Sequence, residues 1–177
     1  SSFFRSGVVK YVANGISVRS TIERSPIYQK FLDQAADQIQ LIVLQNYLFF
    51  GNASSMESYV ATMFEEPNGT IDLTILPPKP KVIILDLTLV TGMDASAVDA
   101  FSDILVICVN NTCRLFLSGV SARLRDVMNL AGLKPDDSVP RSQRMLRFFT
   151  DLDSAIGKAE DLLIHMDGTF QVDSSHR

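Results

Sequence analysis

The chain has 177 residues, 46% of them hydrophobic, and a positive mean hydropathy, which is enough to bury one substantial core in one domain and to leave an exposed apolar patch. Its 16 basic and 20 acidic residues leave a formal charge of −4, which excludes a general basic field for nucleic acid. Two cysteines and two histidines do not make a disulfide framework or a zinc-ligand spacing, and no apolar run approaches the length of a membrane span. The opening Ser1-Ser2-Phe3-Phe4 reads as an internal start, so the chain is expected to be a piece of a longer protein.

In chain order, Val8, Val9, Tyr11, Val12, Ile16, Val18 and Ile22 alternate weakly. They predict one or two strands with a turn at Asn14-Gly15. Ser25-Pro26 opens a helix whose inner positions are Ile27, Tyr28, Phe31, Leu32 and Ala35. A strand follows at about 38–45. Ser54-Ser55-Met56-Glu57 reads as a capping box that starts a helix over 54–65, with Met56, Tyr59, Val60, Met63 and Phe64 as its stripe. Residues 66–80, rich in proline and containing Asn68-Gly69, predict a variable loop.

Val82-Ile83-Ile84-Leu85 is continuously apolar and β-prone, as in a strand covered on both faces. The strand is expected over 81–87, followed by a short loop in which Gly92 allows a turn. Asp94 then caps a helix from 95 to about 110, with Ala97, Phe101, Ile104, Leu105 and Cys108 inward. Arg114–Leu117 is a strand. Ser121 caps a helix with Leu124, Val127, Met128 and Ala131 inward, and Gly132 and Pro135 stop it. Phe148 and Phe149 belong to an edge strand at about 147–149. Thr150-Asp151 begins the last helix, with Leu152, Ala155, Ile156, Ala159, Leu162 and Leu163 inward, and the tail from about 167 to 177 frays. The fold class is therefore α/β: one domain with a central, mostly parallel sheet of four to six strands, an antiparallel amino-terminal edge within about 1–24, and about five flanking helices.

The stretch from Val82 to Val98, with Asp86, Asp94 and Ser96, resembles the signature of the STAS family, in which a buried strand ends in an acidic residue and Asp-x-Ser/Thr opens the next helix. The stretch Gln38–Ala53, with Phe49-Phe50-Gly51 as a turn, and the Val18–Ser25 segment with Arg19 and Arg24 resemble the sulfate-permease branch. Together the resemblance covers roughly residues 16–165. Ala95 and Ala97 depart from the commoner residues of the motif.

That resemblance implies a STAS-like single domain without catalysis or cofactor, on the cytoplasmic face of a membrane. It would regulate a sulfate-permease-type anion transporter. Its implied partners are the transmembrane part of that transporter, and a second protomer or a cytosolic regulatory protein. The alternative is a freestanding anti-sigma-factor antagonist switched by phosphorylation of Ser96, the position a partner kinase modifies in that branch.

Physical reading of the residues points to the same places. Ser96 lies in a first helical turn, where free amides and the dipole favour an anion. Ligands of open α/β sheets gather at the carboxyl ends of strands. Here that means Asp86, Asp94, Ala95 and Ser96 on one side, and Ser118, Gly119 and Ser121 on the other, as candidates for weak anion or nucleotide binding. The plainer reading, two ordinary capped turns, is preferred for both. His165 and His176 lie in or beyond the last helix, too far along the chain to suggest a nucleophile–base pair. Arg141-Ser142-Gln143-Arg144 reads as a solvated basic loop without an assigned role.

Overall fold

The computed structural model describes residues 7–66 and 77–166. The residues expected in most of the variable loop, and the whole of the expected frayed tail with His176, lie outside them. Strand β1 (Val9–Asn14) is followed by helix α1 (Pro26–Ala35), strand β2 (Ile39–Leu48), helix α2 (Phe50–Thr62), strand β3 (Val82–Met93), helix α3 (Ala95–Asn110), strand β4 (Arg114–Ser118), helix α4 (Ala122–Leu130), strand β5 (Leu146–Phe149) and helix α5 (Leu152–Met166). The sheet order is β1-β2-β3-β4-β5; β1 is antiparallel to β2 and every other pair is parallel. The expected mixed sheet, with its antiparallel amino-terminal edge and five flanking helices, is what forms.

The continuous apolar run in β3 follows from its two covered faces. Ile83 and Leu85 join Ile42, Leu44, Leu115 and Leu117 in a core closed by Met56 and Val60 of α2, Phe101 and Ile104 of α3, and Leu124 of α4. Val82 and Ile84 point the other way, to Leu41, Phe116, Leu32 of α1 and Ala155, Ile156 and Leu163 of α5. Successive strand residues alternate faces, so a strand sandwiched between two helical layers needs apolar side chains at every position.

Several expectations are corrected. The Asn14-Gly15 turn forms, with the Asn14 side-chain oxygen accepting the Ile16 and Ser17 amides at 2.9 and 3.2 Å, and of the one or two strands expected there one, β1, is present. Ile27 faces solvent, because α1 presents only Leu32, Tyr28 and Phe31 to the core. Ala131 is exposed, beyond the last residue of α4. Helix α2 begins at Phe50, four residues before the expected Ser54, so Phe50-Gly51 is helix rather than turn. Its start is held by Asn52, whose Oδ1 accepts the Phe49 amide at 2.9 Å and whose Nδ2 donates to the Tyr47 carbonyl at 2.9 Å.

The largest difference is the length of β2 and β3. Both run past the sheet as a paired ribbon, Gln45 opposite Leu89 and Leu48 opposite Met93, with two register shifts and a left-handed Asn46 (φ 70°). The loop expected after residue 87 is therefore strand. Gly92 lies within that strand opposite Tyr47, where an added Cβ would sit 3.0 Å from the tyrosine ring. Close ring approach, rather than a turn, is what a glycine permits there.

Candidate functional site

At the end of the ribbon Leu48 and Met93 are register partners, and a helix follows each almost at once. The Asp94 amide donates to the Leu48 carbonyl at 3.1 Å, so α2 and α3 start side by side. Asp94 is the N-cap of α3: its backbone is extended, and its Oδ1 accepts the Ala97 amide at 3.1 Å. The Ser96 hydroxyl donates to the same oxygen at 2.5 Å. It also accepts from the Phe50 amide at 3.2 Å. That amide is one of the four donors at the start of a helix that have no carbonyl partner within it. Ser96 thus satisfies a donor of α2 while standing in the first turn of α3.

The Asp94 carboxyl is held below the ordinary aspartate range. The main cause is the Ser96 hydroxyl; the Ala97 and Ser96 amides add to it, against a partial opposing effect of desolvation. The group is a carboxylate at neutral pH, so the anion that the α3 dipole favours is supplied by the protein itself. Ala95 and Ser96 are exposed beside it. So are Tyr47, Phe49 and Phe50, which are 50%, 48% and 51% accessible.

Asp86 belongs elsewhere. It is the register partner of Ser118 and only 4% exposed. Its Oδ1 accepts the Ser118 hydroxyl at 2.7 Å and the Thr88 hydroxyl at 2.9 Å. Gly119 has φ +66°, and a Cβ there would come within 2.7 and 2.9 Å of the Thr88 nitrogen and Cα. The β4–α4 turn therefore lies directly on the backbone of β3. Ser121 caps α4, its hydroxyl accepting the Leu124 amide at 3.2 Å. The seven candidate residues fall into two groups: Asp94, Ala95 and Ser96 at the ribbon tip, and Asp86, Ser118, Gly119 and Ser121 beside the sheet. The continuation of β3 through residues 87–93 separates them.

His165 is exposed in the last turn of α5. Cys108 and Cys113 are buried free thiols. Their contact with each other, then burial, pushes the Cys113 thiol far up. Among the described residues no group of three His, Cys, Asp or Glu side chains is placed to hold a metal ion.

One cluster escapes the sequence reading, and a second gathers more than the basic loop expected at residues 141–144. Glu160 of α5 is 1% exposed and gathers the segment before α1. It accepts the Ser20 amide at 3.0 Å and the Ser20 hydroxyl, and it pairs with Arg24 at 3.2 Å and Arg19 at 3.4 Å. Arg24 also reaches Asp161 at 2.9 Å and the Gly157 carbonyl at 3.1 Å, and Arg19 reaches Asp33 at 2.8 Å. Asp153 takes both the amide and the hydroxyl of Thr21, at 2.8 and 2.7 Å. The signal was a lone glutamate between Ile156, Ala159 and Leu163 on an apolar stripe, a position a carboxylate occupies only when paired. The second cluster is basic and lies at the β5 edge: a cavity of about 540 Å³ lined by Arg125, Lys134, Arg141, Arg144 and Arg147.

Comparison with known proteins agrees with this architecture. The STAS domain model matches residues 31–155. The vacuolar basic amino acid transporter VSB1 of Saccharomyces cerevisiae is 31% identical over 152 residues, which cover 84% of this chain. The chain spans 13% of that protein's length. The crystal structure of a sulfate transporter family protein from Wolinella succinogenes superposes with a TM-score of 0.53 at 25% identity, covering 71% of this chain and 88% of that one. The structure of SLC26A9 shares the fold, with a TM-score of 0.57 at 20% identity over 95% of this chain and 27% of that one. The family-model match takes in the whole parallel sheet, and the sulfate transporter family protein is similar over most of its own length; the chain belongs to the STAS domain family.

Proposed function

We propose that this chain is the regulatory and docking domain of a membrane transporter, seated against the membrane part of its own longer protein at the cytoplasmic face and performing no chemistry itself. The relatives support this by what their names say, and their names differ in cargo: sulfate for one and basic amino acids for another. The proposal therefore leaves cargo choice to the membrane part. No helix among the described residues is long and apolar enough to cross a membrane.

The observation that carries the reading is the ribbon tip. Tyr47, Phe49 and Phe50 expose large apolar side chains to solvent where α2 and α3 begin. An aromatic residue that is half accessible in the isolated domain and beside a rigid, capped double helix start suits a docking anchor. Coupling to transport would be a shift in the docking equilibrium. The test is transport by the full-length protein carrying Phe49→Ser and Phe50→Ser. Transport falls several-fold while the melting temperature of the isolated domain changes little; unchanged transport overturns the proposal.

The exposed position of Ser96 favours one second reading, a phosphorylation switch at the same place. A phosphate there would end the hydroxyl's donation to Asp94 and set two negative groups side by side, so it would act by unpinning α2 from α3. Mass spectrometry of the protein isolated from cells tests it: a phosphate on Ser96 supports the switch, and an unmodified Ser96 under all transport conditions removes it.

A further inference from the structure

The cations of this chain are treated in two different ways. Arg19 and Arg24 are neutralised by Glu160, Asp33 and Asp161. Of the five at the β5 edge, only Arg144 has a carboxylate partner among the described residues. Arg125 comes from α4, Lys134 and Arg141 from the connection between α4 and β5, Arg144 from just before β5, and Arg147 from β5 itself; all line one cavity of about 540 Å³. Among the described residues the only carboxylate in its wall is Asp137, which is 92% exposed at its side chain and pairs loosely with Arg144 at 3.6 Å. Among the described residues the other four have no ion pair.

The arginines are held in place by contacts other than charge neutralisation. Arg147 lies over the Phe149 ring at 4.9 Å, and Arg125 over the Phe148 ring at 5.4 Å. The Arg144 Nε donates to the Val139 carbonyl at 2.9 Å. The Arg147 and Arg125 guanidinium groups are therefore positioned without a carboxylate partner, which leaves charge for a ligand. Arg147 registers the crowding: burial first, and then Arg141, Arg144 and Arg114, push its pKa down from the usual arginine value. Like charges this close disfavour one another's charged form, and an added anion would relieve that.

We propose that this cavity binds an anion bearing two or more phosphate groups. The cavity volume lies in the range of small-ligand sites. Planar guanidinium groups match phosphate oxygens two at a time, and several converging cations favour a multiply charged anion over chloride or a single carboxylate. The net charge of −4 over the chain repels a long polyanion outside the pocket, so a compact ligand is selected.

The same chemistry occurs in a free polyphosphate and in a phosphoinositide headgroup, and the experiment separates them. Calorimetric titration of the chain with inorganic tripolyphosphate is compared with binding to phosphatidylcholine vesicles with and without phosphatidylinositol bisphosphate. The variant is Lys134→Gln with Arg141→Gln; the control, Lys10→Gln with Lys30→Gln, removes the same charge outside the cavity. Tripolyphosphate is expected to bind with micromolar affinity, weakened by about tenfold or more in the variant and little changed in the control. Vesicle binding that requires the phosphoinositide and is lost in the same variant supports the site and makes a headgroup its source. Absence of both interactions, or equal weakening by variant and control, overturns the proposal. Matching melting temperatures of the three proteins exclude unfolding as the cause.

Discussion

The Ser96 hydroxyl accepts a hydrogen bond from the Phe50 amide at 3.2 Å, joining residues 46 positions apart at the starts of two neighbouring helices. Ser96→Ala removes this bond and the hydroxyl that holds the Asp94 carboxylate. The loss is about 1 kcal/mol in urea unfolding, with faster amide exchange at Phe50 than at buried α2 positions. Ser96→Asp costs more, because it sets a second carboxylate beside Asp94.

Acid titration of one aspartate and one glutamate should show opposite signs. The Asp94 pKa is lowered, so its contribution is present above the ordinary value of 3.8 and is lost as pH falls through the lower folded value. Asp94→Asn is therefore less stable than the parent at neutral pH, and the difference narrows at about pH 2.5. Glu57 has its pKa raised, by desolvation first and then by Asp103 across the α2–α3 contact. An acid raised in this way opposes folding while ionised, and the penalty lifts as pH falls from the folded value toward 4.5. Asp103→Asn is more stable than the parent at neutral pH and gains nothing at about pH 2.5. Urea midpoints at the two pH values check both signs.

Glu160→Ala leaves Arg24 and Arg19 facing a buried void and releases the Ser20 amide. With the arginines 10% and 26% exposed at their side chains, the cost is about 2–4 kcal/mol rather than that of a fully buried pair. Hydrogen exchange at Ser20 and Thr21 should accelerate by more than exchange in β3. A uniform acceleration would show instead that the segment before α1 and the sheet open as one unit.

Gly119→Ala should be the most damaging alanine substitution among the described glycines. It demands a left-handed backbone of a residue with a Cβ and drives that Cβ into the Thr88 main chain, which cannot swing aside. A loss of about 2–3 kcal/mol is expected, against little for the same change at Gly132, where φ is +91° but nothing lies within 4 Å and only the backbone cost of about 1 kcal/mol applies.

The sheet is legible in the sequence because each strand carries its own pattern. Val82–Leu85 is apolar at every position, as a strand with two covered faces requires, and the Asp94 and Ser121 caps stand where their side chains meet free amides. The ribbon is not legible, because Leu87–Met93 mixes polar, apolar and glycine residues. Its pairing with Gln45–Leu48 is a register between distant segments, which local propensity does not encode. The same limit hides Glu160 and the basic cavity. Arg141, Arg144 and Arg147 are close together in the sequence, but Arg125 and Lys134 join them only through the return of β5 beside β4. The Asp86 and Asp94 pair, neighbours in the motif, is divided for the reverse reason: an extended strand carries two nearby residues far apart.

The most direct measurement is hydrogen exchange on the full-length protein in lipid, compared with this chain alone. Docking through the ribbon tip predicts slower exchange at the amides of residues 47–52 and 94–97 in the full-length protein, with the interior of β4 unchanged. Identical exchange in these segments, with Phe49 and Phe50 equally open in both, would contradict the account.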